Sequence, residues 1–360
     1  MYERAARDGA SDWQHRVVAW ALYAVGWALG WLLLWSTRPL PVPHGTRARV
    51  AVVVPARDEE DSLPHVLAGL VGQLQPGDEL VVVDDHSADA TAAVATSFGA
   101  RTVIAPDLPT GWVGKPHACA IGAAATTAAT LVFVDADVRP GPALLDGLAA
   151  AVAPGVVTSV QPWHDAVTAG ERVTLLANVT ALMGCAAFTV AGARLPPDVA
   201  FGPVLAVERA TYDAIGGHGH PAVRASLTED IELARQVGRS QVYSDRRDAS
   251  FRMYPCGLRQ SLAGWSRTMA AGLSAGRWWI VLGVVAWVWS LGGGLFAGWL
   301  AYPLSAVQVW VLGRRAGRMG PVLAALYPVL VAALALVVVL AGWRRVRGTT
   351  SWKGRTVKAA

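Results

Sequence analysis

Apolar positions along the chain fall into two textures, long uncharged runs and short alternating ones. Val17 to Trp35 carries no charge and is bracketed by Arg16 and Arg38. About 20 apolar residues cross a bilayer as a helix, so this run predicts a transmembrane helix over 17–37 after an N-terminal tail, 1–16. A cleaved signal fits less well, because the run is rich in Trp and no A-x-A site closes it. Uncharged runs recur from Trp278 to Gly313 and from Met319 to Trp343. The first, taken as a transmembrane region over 278–313, has room for one tilted helix or a tight pair broken near Tyr302-Pro303. The second predicts one helix, 319–343. Trp278, Trp279, Trp299, Trp310 and Trp343 stand near the expected ends, where interfacial aromatics collect.

From Arg49 to Pro255 the texture shortens. Val50–Val54, Leu80–Val83, Thr102–Ile104 and Leu131–Val134 read as buried strands of a mostly parallel sheet. After Asp61-Ser62 come Pro64 and then Val66, Leu67, Leu70, Val71 and Leu74 on one face, an N-capped amphipathic helix. Strands alternating with helices over 49–255 predict an α/β, Rossmann-like domain. No G-x-G-x-x-G follows the first strand, so the dinucleotide fingerprint is absent.

Two segments sit between these textures. Val173–Ala193 is uncharged and by length could cross a bilayer, yet crossing would separate the acids before it from those after it. It is read as a helix at the membrane interface or against the C-terminal spans, with a buried core helix as an equal alternative. Over 256–277, Leu258, Leu262, Trp265 and Met269 alternate with Arg259, Arg267 and Arg277, the pattern of an interfacial amphipathic helix.

Composition narrows the class. Only 16% of the 360 residues are charged and 53% are apolar, against about 25% charged in soluble domains; mean hydropathy is +0.37. This excludes a disordered chain and a purely cytosolic globule. Cys119, Cys185 and Cys256 have neither the number nor the spacing of a disulfide framework or zinc site. A net charge of +5 would point to nucleic acid in a soluble protein. Here the arginines flank apolar runs, which favours anionic lipid and no nucleic acid. Arg314, Arg315 and Arg318 form one cluster; Arg344, Arg345, Arg347, Lys353, Arg355 and Lys358 form another in a basic tail, 344–360. With one span between them the positive-inside rule cannot satisfy both, and the larger cluster is placed in the cytosol.

In open α/β sheets ligands bind beyond the carboxyl ends of the strands. Those ends carry Arg57-Asp58-Glu59-Glu60, Asp84-Asp85-His86-Ser87-Ala88-Asp89 and Asp135-Ala136-Asp137. Ser87 or Asp89 could simply cap a helix. Two carboxylates two residues apart repel unless a cation compensates, and hard oxygen ligands suit Mg²⁺ or Mn²⁺ shared with substrate phosphates. Thr228-Glu229-Asp230 places acids at a helix start, where the macrodipole alone would favour them. Lys115, after the loop Gly111-Trp112-Val113-Gly114, could reach phosphate or pyrimidine groups or be a solvated charge.

Taken in order, Val-Pro-Ala-Arg-Asp-Glu-Glu, Val-Val-Asp-Asp-His-Ser-Ala-Asp-Ala-Thr, the Asp-x-Asp and the Thr-Glu-Asp resemble the GT-A fold of family 2 inverting glycosyltransferases, over about Val50 to Arg267. Gly111–Lys115, Tyr212–His218, Arg252-Met253-Tyr254, Gly264–Arg267 and Trp352-Lys353-Gly354-Arg355 make the chain similar to the membrane-bound branch that includes 4,4'-diaponeurosporenoate and hopanoid-associated glycosyltransferases. The resemblance implies that Ala56, Arg57 and Glu59 line the nucleotide pocket and that Asp84 or Asp85 bonds the uracil. It implies Lys115 beside the nucleotide, Asp135 at the ribose, Asp137 on the metal, and Asp230, with Glu229, as the catalytic acids, Asp230 being the general base. Gly202, Trp265 and Arg267 are assigned to the acceptor or diphosphate.

Departures matter as well. Arg259–Trp265 does not match the Gln-x-x-Arg-Trp of processive synthases, Arg57-Asp58 stands where many relatives have Arg-Asn, and Ala200-Phe201-Gly202-Pro203 replaces a commoner Asn-Gly. The resulting expectation is a multi-pass cell-membrane enzyme with its catalytic domain facing the cytoplasm. It would move one sugar from a UDP-sugar to a membrane lipid acceptor such as a carotenoid acid or hopanoid. The alternatives are a polyprenyl-phosphate or ceramide-type glycosyltransferase, a short-polymer synthase, and a nucleotide-sensing membrane scaffold without activity.

Overall fold

The computed structural model describes residues 2–43, 45–195, 199–272, 276–347, 349–352 and 355–358. Helix α1 (Tyr2–Leu33) begins well before Val17, so residues 2–16 of the expected tail continue the same helix. Then follow β1 (Val50–Ala56), α2 (Leu63–Val71), β2 (Glu79–Asp84), α3 (Thr91–Ser97), β3 (Arg101–Ile104), α4 (Gly114–Ala124) and β4 (Thr130–Val134). These four strands lie parallel in the order β3-β2-β1-β4. β1 is apolar at nearly every position because both of its faces are covered: Val50, Val52 and Val54 join the layer with α2, while Ala51 and Val53 join the layer with α4.

Two expectations fail here. β3 is the sheet edge, and its Ile104 is 58% exposed. Ser62 does not cap α2 with its side chain; the Glu59 carbonyl already accepts from the amides of Ser62 and Leu63, so Ser62 lies inside a turn, out of capping geometry.

The second half breaks the parallel pattern. It runs β5 (Val138–Pro140), α5 (Leu144–Ala151), β6 (Val157–Val160), β7 (Trp163–His164), α6 (Ala169–Val173), α7 (Leu175–Gly184), β8 (Val204–Glu208), α8 (Arg209–Ala214), α9 (Pro221–Arg224), α10 (Glu229–Val237), β9 (Ser240–Tyr243) and β10 (Ala249–Phe251). β8 enters antiparallel between β4 and β6, with Val134 opposite Val204, giving a mixed seven-stranded sheet. A small sheet, β5-β10-β7, covers one end. The Val173–Ala193 run does not form one long helix: it breaks at Thr174, and α7 is buried against the C-terminal helices.

Those helices are α11 (Leu258–Gly272), α12 (Trp278–Ala297), α13 (Ala301–Ala316), α14 (Pro321–Ala325) and α15 (Tyr327–Arg347), followed by a hairpin, β11 (Thr349–Trp352) and β12 (Arg355–Lys358). Residues 273–275, Lys353 and Gly354 of the expected helix and tail motif lie outside the described residues. The expected break near Tyr302-Pro303 falls instead at Gly298; Pro303 sits in the first turn of α13, where a missing amide costs nothing.

α12 runs antiparallel to α1, with Gly283 against Leu33 and Gly294 against Tyr23. α13 then returns, bonding Tyr23 to Ser305 near its start and Arg315 to the Leu34 carbonyl near its end. Tyr302 and Tyr327 touch at the starts of α13 and α15, with ring centroids 5.0 Å apart, while Arg344 near the end of α15 comes beside Arg267 of α11. The chain between α13 and α15 therefore doubles back through α14, and Arg314 and Arg344 both lie at the domain end.

The bundle is seated on the domain by a buried polar seam. Gln161 donates to Asn178 at 2.7 Å, and Asn178 donates to the Ala316 carbonyl at 2.8 Å. Gly317 makes the close approach possible: a Cβ there would stand 2.5 Å from Leu175 Cδ1 and 2.6 Å from the His164 carbonyl oxygen. Among the described residues, two helical stretches, Gln14–Leu33 and Tyr327–Val346, are long and apolar enough to cross a membrane, and only 22% of each is buried within the protein.

Candidate active site

The loops after β1 and β2 are knitted together by several of their polar residues. Asp58 accepts from the Ala88 amide at 2.8 Å, Glu60 from the Ala90 amide at 3.0 Å, and Asp89 from the Glu60 amide at 3.0 Å. Asp58 and His86 are held at positive φ, 50° and 59°, a conformation that persists only when surrounding bonds enforce it. Asp84 is spent locally as well, with Oδ1 accepting from the Ser87 amide at 2.9 Å and its hydroxyl at 2.5 Å. The Ala56 methyl belongs to the core and its carbonyl accepts from the Asp85 amide at 2.9 Å. Arg57 and buried Asp85 remain as a pair at 3.6 Å. Ser87 and Asp89 thus take the structural role open to them: Ser87 bonds Asp84, and Asp89 accepts from the amide of Thr91, the first residue of α3, at 3.0 Å.

The second acidic group gathers through the sheet. Because β4 and β8 are antiparallel neighbours, the Asp135 amide donates to the Pro203 carbonyl at 2.9 Å, which brings Asp135-x-Asp137 beside Gly202. Lys115, in the first turn of α4, enters from the layer that α4 shares with α10. Its Nζ lies 2.8 Å from Asp135 and 2.8 Å from Glu229 at the start of α10. The lysine is no solvated charge: burial opposes its ionisation, but Asp135 and Glu229 outweigh burial and hold it well above the ordinary lysine range. Gly202 packs against the same group, and Asp230 accepts backbone bonds from Gly202 and Ile231.

One lysine therefore pairs with one member of each acidic pair, and among the described residues the other member has no ion pair of its own. Burial, then Asp135 and Glu59, push Asp137 up to about 7. Burial, then Glu229, push Asp230 up to about 7. A carboxyl near neutrality suits proton transfer at physiological pH. Crowded acids at Asp137 are also what a cation relieves. Among the described residues no three His, Cys, Asp or Glu side chains form a preformed metal group. Mg²⁺ and Mn²⁺, however, commonly rest on one or two carboxylates plus substrate phosphates, and Asp135 with Asp137 supplies that donor set.

Tyr254, which sequence reasoning assigned no role, closes the third side. β5 and β10 pair Val138 with Phe251, and the turn after β10 holds Tyr254 at φ 57°. Its phenol lies within electrostatic reach of Asp137 and Arg267 and bonds Thr268 of α11. Burial is the largest influence on this phenol and raises its pKa. The signal available was Arg252-Met253-Tyr254, whose chemistry is not readable without the fold. Arg267 thus stands near the site. Trp265 does not: it is 1% exposed, packed at 6.3 Å from both His164 and Tyr254, and supports the wall from behind.

The profile of glycosyl transferase family 2 matches residues 51–179. The chain is similar to a 4,4'-diaponeurosporenoate glycosyltransferase of Staphylococcus haemolyticus, 30% identical over 254 residues, covering 68% of this chain and 67% of the relative. It is also similar to one from Staphylococcus aureus, 28% identical over 335 residues, covering 85% and 87%. Its fold matches a mannosyltransferase from Pyrobaculum calidifontis solved with GDP-Man and Mn²⁺, with TM-score 0.56 and 17% identity over 91% of this chain and 99% of that one. The chain belongs to glycosyltransferase family 2.

Proposed function

We propose that this family 2 glycosyltransferase carries out an inverting transfer of one hexose from a UDP-sugar to a lipid acceptor dissolved in the membrane, a terpenoid such as a carotenoid acid or hopanoid. The observation that carries the reading is the Lys115 bridge, which gathers Asp135 and Glu229 and leaves Asp137 and Asp230 poised near neutrality around one site. Arg57 and Asp85 would hold the uridine, with Glu59 and Lys115 flanking the diphosphate. Asp137 with Asp135 would hold Mg²⁺ or Mn²⁺, which when bound supplies charge stabilisation for the departing diphosphate. Asp230 would take the proton of an acceptor hydroxyl; against an acceptor carboxylate it would orient instead. The named activity of the staphylococcal relatives supports a carotenoid-type acceptor.

Surface chemistry supports placement in a membrane. Trp278, Trp279, Leu282, Val285, Trp289, Val322, Val329, Leu336 and Val339 are large, apolar and exposed on the bundle, far more than a soluble surface carries. The four longest helices, α1, α12, α13 and α15, would sit in lipid, α11 would lie at the interface below the site, and the arginine clusters at the domain end would face the cytoplasm.

Incubating membranes that hold the chain with labelled UDP-sugars, then resolving the lipid extract, tests this. One sugar added per lipid is expected. A ladder of saccharide lengths would instead establish a synthase, and UDP-sugar left intact over long incubation would establish a non-catalytic scaffold.

A further inference from the structure

Away from the transfer site, a cavity of about 500 Å³ opens where the bundle meets the domain, lined by Arg246, Arg314, Arg315 and Arg318 with Trp163 and Thr37. None of the acids at 135, 137, 229 or 230 reaches it. Its charge is lopsided. Arg318 pairs with Asp165 at 2.5 Å, and Asp245, the one carboxylate of the lining, pairs with Arg247 at 3.0 Å. Arg246, Arg314 and Arg315 have no carboxylate partner among the described residues.

The free guanidinium groups are nonetheless held in place. Arg246 stacks over the Trp163 ring at 4.8 Å and Arg314 over the Trp310 ring at 5.5 Å. The Trp163 indole N–H donates to the Arg314 carbonyl at 3.0 Å, and Arg315 donates to the Leu34 carbonyl. Planar cations fixed by stacking match a phosphate with little ordering cost. Apolar surface flanks the opening, with Trp35 53% and Val322 75% exposed on the two adjoining chain segments.

We propose that this cavity holds the phosphate of an anionic membrane-lipid headgroup, with the acyl chains lying on the apolar bundle surface beside it. The bound lipid fixes the height of the domain above the bilayer. The choice of lipid over a soluble phosphate rests on the membrane placement proposed above; the excess of arginines does not.

The test uses the full chain in detergent, followed by native mass spectrometry after exposure to phosphatidylglycerol or phosphatidylcholine. Wild type is expected to retain phosphatidylglycerol selectively, with inorganic phosphate at tens of millimolar unable to displace it. The double variant Arg246→Gln, Arg314→Gln is expected to bind it about thirtyfold more weakly, from roughly fivefold per guanidinium, while keeping its UDP-sugar turnover with detergent-dissolved acceptor. Equal retention of the two lipids by wild type, which needs no variant to fold, would overturn the proposal. So would unchanged binding in a folded double variant, and displacement by low-millimolar phosphate would overturn the lipid assignment. Absence of sugar transfer by wild type that still selects phosphatidylglycerol would count against the proposed function alone.

Discussion

Gly202 lies so close to Asp230 that a Cβ on the glycine would stand 3.1 Å from Asp230 Oδ2 and 3.1 Å from Lys115 Nζ. The absence of a side chain at the mouth of β8 therefore sets how near α10 can bring its carboxylate to the sheet. In Gly202→Ala the neighbours must give by a few tenths of an ångström. Turnover is expected to fall about tenfold, in keeping with the roughly hundredfold cost of a full ångström of misplacement, with the melting temperature nearly unchanged. Steady-state kinetics and a thermal melt on the same preparation check this.

Lys115 bridges acids from two different elements, so its loss is both structural and chemical. Lys115→Met leaves Glu229, only 4% exposed in its side chain, buried beside Asp230 without a cation. The expected loss is about 2–4 kcal/mol of stability, in the range for breaking a buried pair from one side, together with loss of turnover. Lys115→Arg keeps the charge and should recover most of the stability, which denaturant melts would resolve.

Asp230 gives the pH dependence a defined sign. Its folded value is about 7 against an ordinary 3.8, so between these the folded state binds the extra proton, and stability declines as pH rises through that window. Asp230→Asn removes the decline. It should melt higher than wild type at pH 8 and equally at pH 4, with turnover on a hydroxyl acceptor reduced at least about a hundredfold. In wild type that turnover should climb tenfold per pH unit up to about 7 and then level, whereas a carboxylate acceptor should show no such limb.

Much of this was legible in the chain. The Val-rich β1, β2 and β4 and the acids at their ends announce themselves through periodicity, since a strand buried on both faces must be apolar throughout. What stayed hidden depends on distant partners. Nothing near residue 115 reveals that Glu229 will meet it, and only the pairing of loops distinguishes Asp58 and Glu60, which are structural, from Arg57 and Glu59. The antiparallel entry of β8 is equally invisible, because an isolated Val-Leu-Ala-Val run does not state its direction. Trp265 misleads for a related reason: amphipathic spacing marks a face, and that face turned out to be the core.

Docking of the bundle onto the domain has its own weak point at Gly317. Gly317→Ala puts a methyl within 2.6 Å of the His164 carbonyl oxygen, with backbone on one side unable to yield. The α13 end should lift from β7 and open the Gln161–Asn178–Ala316 seam, detected as faster amide exchange at residues 161–165 and 316–319 and as a lower melting temperature.

Asp137 and Asp230 are expected to serve one site from which a sugar passes to a membrane lipid. The most direct measurement is transfer of labelled hexose from UDP-hexose into the lipid extract by the purified chain in vesicles, with Mn²⁺ or Mg²⁺ present and then chelated, alongside Asp137→Asn and Asp230→Asn. The expected product is a lipid heavier by one hexose, lost on chelation and in each variant. Lipid glycosylation that persists at the wild-type rate in either variant would contradict it.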